Sequence, residues 1–112
     1  MSLPDLTDAE REAVMAVLHT PHLSMGPNIT AFEKAIAEYT GVKEAIGVNS
    51  GTAGLHLCIR AAGIQPGDLV LTTPFSFVAS TNVILFEGAI PVYVDVDPLT
   101  GNMDPEQSAQ AA

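Results

Sequence analysis

The chain has 112 residues, 47% of them hydrophobic, and its thirteen acidic against four basic side chains give a formal charge of −9. That length is one domain's worth of chain, and that charge opposes nonspecific attraction to nucleic acid and to anionic membranes. The basic residues Arg11, Lys34, Lys43 and Arg60 are too scattered to form a patch, and the single cysteine, Cys58, excludes an intramolecular disulfide and any multi-cysteine metal site.

Thr7-Asp8-Ala9-Glu10 has the form of a capping box, and Ala13, Val14, Val17 and Leu18 follow on one face. The spacing predicts a first helix ending near His19, before Thr20-Pro21. Ser24 to Asn28 reads as a turn, after which Ile29, Phe32, Ile36 and Tyr39 recur at helical spacing until Gly41. Lys34 and Glu38 stand four apart on the outer face of that second helix, where an ion pair adds only a few tenths of a kcal/mol, roughly. Lys43 falls in a surface turn.

Three short apolar runs then alternate with helical segments: Ala45 to Val48, Leu69 to Thr73, and Ile90 to Val94. All three read as buried strands. The first crossover runs from Gly51 to Gly63, with Leu55, Cys58, Ile59 and Ala62 as its inward face and Cys58 as a small core residue. Gln65-Pro66-Gly67-Asp68 has the Pro-Gly pair of a type II turn. The second crossover runs from about Phe77 to Glu87, with Val78, Ile84 and Leu85 apolar and Gly88 as terminator. Strand and helix in alternation, with short links, imply right-handed βαβ units: an α/β fold with a mainly parallel sheet and flanking helices. Residues 1–44 then form an N-terminal pair of helices with a turn, and residues 45–112 the βαβαβ part.

In such sheets ligands sit beyond the carboxyl ends of the strands, so two loops become candidates. Asn49-Ser50-Gly51-Thr52 follows the first strand and opens a helix, whose first free N–H groups and dipole favour an anion. Gly51 allows a close approach, and the hydroxyls of Ser50 and Thr52 add donors. The same residues also describe an ordinary capped helix with Ser50 as N-cap. Pro74-Phe75-Ser76-Phe77 follows the second strand and offers a flat aromatic, although Phe75 and Phe77 would serve equally as core residues. A planar cofactor bearing a phosphate would use both loops at once.

Other motifs fall away. No Walker lysine follows Gly47, and no G-x-G-x-x-G occurs. Asp95 to Gly101 has Leu99 where a calcium loop needs an oxygen ligand, so it reads as a polar strand exit and turn. His19 and His22 are separated by Pro21 with no third ligand nearby, and His56 reads as a packed or surface histidine rather than a base. No metal site is expected.

Six motifs in order carry a family resemblance: Met25-Gly26-Pro27, Thr40 to Lys43, Asn49 to Ala53, Gly63 to Asp68, Thr73 to Ser80, and Pro91 to Asp97. Together they resemble the DegT/DnrJ/StrS family of sugar aminotransferases, over nearly the whole chain from about Leu3 to Glu106. The resemblance implies pyridoxal 5′-phosphate (PLP) as cofactor and the large domain of the aspartate-aminotransferase-like fold. It assigns Ser50, Gly51 and Thr52 to the phosphate and Phe77 to the pyridine ring, with Gly26, Pro27 and Asn82 as weaker substrate contacts.

That family holds PLP on a lysine and pairs its ring nitrogen with an aspartate, and neither Lys34, Lys43, Asp95 nor Asp97 matches those positions. The chain therefore resembles the N-terminal part of a longer enzyme, inactive alone, whose intact relative would move an amino group from an amino acid to a nucleotide-linked keto-sugar. A sugar dehydratase of the same family and a self-contained flavodoxin-like module for a phosphorylated ligand are the alternatives. Family members are dimers, and a short sheet exposes its edges, so a homodimer or other self-association is expected, with no nucleic-acid or membrane partner, in the cytoplasm.

Overall fold

The computed structural model describes residues 3–111. The chain divides into two compact units, one up to Gly47 and one from Val48 onward.

In the first unit, helix α1 (Asp8–Leu18) starts at the expected capping box. Thr7 Oγ1 accepts the Ala9 N–H at 3.3 Å and the Glu10 carboxylate accepts the Thr7 N–H at 2.7 Å, which satisfies two donors that the helix itself cannot. Helix α2 (Pro27–Thr40) begins two residues earlier than the apolar spacing indicates, because Pro27 occupies the first helical position, where its fixed φ suits the helix and its missing N–H costs nothing. It ends at Gly41, whose φ of 74° gives the left-handed cap that glycine adopts most readily. Lys34 and Glu38 pair at 3.8 Å on its exposed face.

The second unit contains α3 (Gly51–Ala61), β1 (Leu69–Thr72), α4 (Ala79–Phe86), β2 (Ile90–Tyr93) and α5 (Pro105–Ala111). The two strands pair in parallel from Leu69 opposite Ile90 to Thr72 opposite Tyr93, with α4 as the crossover between them. This is the α/β arrangement expected from the alternation of elements. Its core is Thr72 at the end of β1, Ala79, Val83 and Ile84 of α4, and Ala89 and Val94 flanking β2. Between α3 and β1, the Asp68 N–H donates to the Gln65 carbonyl at 3.1 Å and Gly67 has a φ of 90°, as a type II turn requires. Gly88 closes α4 with a φ of 71°, and a Cβ there would stand 3.3 Å from Pro66 Cβ.

Three expectations are corrected. Ala45 to Val48 is not a strand, because the two-stranded sheet leaves it no ladder partner; the Gly47 N–H instead donates to Glu33 Oε1 at 2.8 Å. The second crossover helix begins at Ala79, after a turn at Val78, and not at Phe77. Cys58 is exposed and not a core residue, and Leu55 and Ala62 beside it are exposed as well. The reason is that α3 packs mainly on α4, which covers the face carrying Thr52, His56 and Ile59 and leaves the Leu55–Cys58 side open.

Candidate functional site

Ser50 is the N-cap of α3, with extended backbone angles that turn the chain into the helix. Its hydroxyl accepts the Ala53 N–H at 3.2 Å and donates to Asn49 Oδ1 at 3.3 Å. Both local roles are therefore filled by one side chain, as a good cap demands. The Gly54 N–H donates to the Ser50 carbonyl at 3.1 Å, and among the described residues the N–H groups of Gly51 and Thr52 have no protein acceptor. These are the donors that a helix N-terminus presents to an anion.

Gly51 is informative for what it lacks. Its φ is not in the left-handed range, so the backbone does not require glycine there, and a Cβ added to it would meet no heavy atom within 4 Å. Gly26 is the opposite case: a Cβ there would lie 2.8 Å from the His22 carbonyl oxygen, so packing within the first unit explains that glycine. Pro27 is likewise explained by its place at the start of α2. Gly26 and Pro27 belong to the first unit, whereas Ser50, Gly51, Thr52, Phe77 and Asn82 all belong to the second.

Phe77 lies just ahead of α4 and is 76% exposed, and Phe75 is exposed almost as far, so neither ring is a core residue. The Phe77 carbonyl accepts the Ser80 N–H at 3.0 Å, which fixes the backbone that carries the ring. Asn82, half-buried one turn into α4, donates its N–H to the Val78 carbonyl at 3.0 Å. The carboxyl-terminal end of α4 meets α3 through Glu87, which stands beside His56 and Arg60.

Hydroxyl groups that sequence inspection passes over gather beside the Phe77 loop. A cavity of about 280 Å³ lies beyond the carboxyl ends of β1 and β2, lined by Thr73, Pro74, Ser76, Val78, Thr81 and Tyr93. Tyr93 donates from its hydroxyl to Thr81 Oγ1 at 3.1 Å, and Ser76 and Ser80 share a hydrogen bond at 2.9 Å. The strand register supplied the missing signal, since it sets Tyr93 opposite Thr72 at the end from which the Phe77 loop departs. The Asp95–Gly101 segment is a polar turn: Asp97 accepts the N–H groups of Leu99 and Thr100 at 2.9 and 2.8 Å, and these bonds, Thr100 first, hold its carboxyl below the ordinary value. Among the described residues no three His, Cys, Asp or Glu side chains gather as a metal site would need, and no helix is long and apolar enough to cross a membrane.

Comparison with known proteins adds a second line of observation. The profile of the DegT/DnrJ/EryC1/StrS aminotransferase family matches residues 4–112. The spore coat polysaccharide biosynthesis protein SpsC of Bacillus subtilis (strain 168) is 44% identical over 104 residues, which are 93% of this chain and 27% of that protein. GDP-perosamine synthase of Caulobacter vibrioides is 45% identical over 105 residues, covering 93% of this chain and 28% of the synthase. Among solved structures, the putative sugar aminotransferase Spr1654 from Streptococcus pneumoniae in its PLP form superposes with a TM-score of 0.92 at 35% identity, over 97% of this chain and 28% of that one. The chain thus spans little more than a quarter of the length of the relatives it matches.

Proposed function

Because the chain belongs to the DegT/DnrJ/EryC1/StrS aminotransferase family, we propose that it carries the phosphate-binding turn and the ring-stacking loop of a PLP-dependent enzyme that aminates nucleotide-linked keto-sugars. The observation that carries this reading is Gly51: neither its backbone angles nor its packing requires glycine, and the N–H groups of Gly51 and Thr52 face no protein acceptor. A phosphate explains both features, since it needs close approach and free donors at a helix N-terminus. The exposed ring of Phe77 suits a planar cofactor, whose stacking would cover a face otherwise left to water.

When bound, PLP supplies an electron-withdrawing ring that opens a path for amino transfer from an amino acid to a keto group. The chain's own residues bind and orient it. Gly51 and Thr52 donate to the phosphate, the Ser50 hydroxyl holds the first turn of α3 in the conformation that presents them, and Phe77 shields one ring face. Asn82 is a weaker contact to substrate. The chain's lysines, Lys34 and Lys43, both lie in the first unit, on and just beyond α2, and neither is assigned the covalent role. The chain by itself is therefore expected to be inactive as a transaminase, and measured turnover would overturn that expectation.

A nucleotide-sugar substrate is supported by the names of the relatives, GDP-perosamine synthase among them. The similarities favour the aminotransferase over the sugar dehydratase and the flavodoxin-like module. Self-association, as a homodimer, is supported by the exposed apolar side chains of Val14, Leu18, Phe32 and Tyr39, and a cytoplasmic location accompanies a small-molecule sugar pathway. Light scattering that returns the monomer mass at all concentrations would remove the dimer.

The test is Gly51→Val, which puts a side chain into space that the protein leaves empty. PLP titrated into the isotopically labelled chain should shift the amide resonances of Gly51 and Thr52 in the parent and leave Thr52 unmoved in the variant, with the unfolding midpoint nearly unchanged. Equal shifts in both proteins would refute the phosphate role.

A further inference from the structure

Halfway along α3, His56 turns toward the end of α4. Its Nε2 lies 2.5 Å from Glu87 Oε1, with the two side chains 32% and 20% exposed. The imidazole also meets the Phe86 ring edge-on, with centroids 5.4 Å apart and planes at 72°. Arg60 Nε stands 3.9 Å from the same carboxylate oxygen. A carboxylate only accepts, so Nε2 carries the hydrogen and donates it.

The two sides of this contact are anchored differently. Glu87 is the C-cap of α4, its N–H bonded to the Ile84 carbonyl at 3.2 Å, and Gly88 and Ala89 continue that closure into β2. Ala89 and Ile84 are buried, so the acceptor is fixed to the core of the unit. Helix α3 has no buried residue and rests mainly on α4. Apolar packing alone therefore constrains α3 weakly, and a directional hydrogen bond between half-buried groups decides how it lies.

We propose that His56 and Glu87 form a latch that positions α3 on α4, and with it the donors of Gly51 and Thr52 relative to the Phe77 loop. His56 is a positioning residue that touches neither ring nor phosphate, and its consequence for cofactor binding rests on the reading given above. The role differs from general stabilisation in a way that can be measured: it acts on the first turn of α3 and not on the sheet.

The experiment uses the labelled 112-residue chain, with amide hydrogen exchange and PLP titration followed by NMR. His56→Ala should speed exchange at Ala53 and Gly54 while leaving the amides of β1 and β2 unchanged, and should weaken PLP binding roughly tenfold. His56→Gln, whose side-chain amide can still donate to Glu87, should restore most of both. Val83→Ala, a core truncation outside the latch, should speed exchange throughout the unit without shifting the Gly51 and Thr52 resonances. Glu87→Gln keeps an acceptor oxygen and gives a second reading should His56→Ala not fold, with a smaller change confined to α3. If these variants leave the first turn of α3 unmoved, or move it no more than Val83→Ala does, the latch is wrong. If PLP shifts no amide in the parent while exchange still responds to His56→Ala, the latch stands and the cofactor reading fails.

Discussion

The two units are built from equally clear local signals and end with opposite burial. Helices α1 and α2 each carry an apolar face at helical spacing, yet neither contains a buried residue. Helix α4 is shorter, and it buries Ala79, Val83 and Ile84 while packing on the parallel strands and on α3. The difference teaches that periodicity marks a face which requires cover, while burial depends on whether a strand or helix is there to cover it. The sheet and α3 supply that cover for α4, and within the first unit no described strand or helix supplies it for the stripes of α1 and α2.

The largest expected effect tests this contrast directly. Ile84→Ala should cost about 2 to 5 kcal/mol in chemical denaturation, as truncation of a buried aliphatic does, while Val14→Ala on exposed α1 should stay within about 0.5 kcal/mol. Similar losses at both positions would mean that α1 is covered in solution, which would sharpen the case for self-association. A smaller loss, about 1 to 2 kcal/mol, is expected from Gly88→Ala, since the left-handed backbone at that residue penalises a Cβ that also crowds Pro66. Thermal unfolding of the variant measures it, and an unchanged midpoint would mean the turn relaxes freely.

Ser50→Ala removes the α3 cap and should cost about 1 kcal/mol, together with the PLP-induced shifts of Gly51 and Thr52. Loss of stability with binding retained would leave Ser50 as a cap alone. The smallest effect concerns pH. Asp97 in the second unit, held by the Thr100 and Leu99 N–H groups, and Glu10 in the first, held by the Thr7 hydroxyl and N–H, both have carboxyls lowered from their ordinary values. A carboxyl lowered in the folded chain stabilises it above the unfolded value, and that contribution is lost as pH falls through the folded one. Acid titration by NMR should therefore loosen the Asp97 turn and the start of α1 only below the usual carboxylate range, and loosening at or above that range would contradict both assignments.

Much of the candidate site was legible because its logic is local. Ser50 as N-cap, the free donors behind it and the place of Phe77 in the loop after β1 follow from residue type and spacing. The hydroxyl cluster at Tyr93 and Thr81 was not legible, because twelve residues separate the partners and only the crossover brings them together. His56 and Glu87, thirty-one apart, were hidden for the same reason. Cys58 failed in the other direction: its apolar neighbours suggest a core, yet the helix turns a different face to α4, on which it mainly packs.

By itself, then, the sequence determined the limits of α1, the end of α2 and the start of α3, the Pro-Gly turn, the alternation that makes the fold α/β, and the capped turn at Ser50, since each depends on backbone angles and hydrogen bonds within a few residues. Only the tertiary structure decided that Ala45 to Val48 would lack a strand partner, which face of α3 would be covered, and which distant polar groups would meet. Those outcomes depend on which surfaces are available to pack, and a surface is a property of the folded chain.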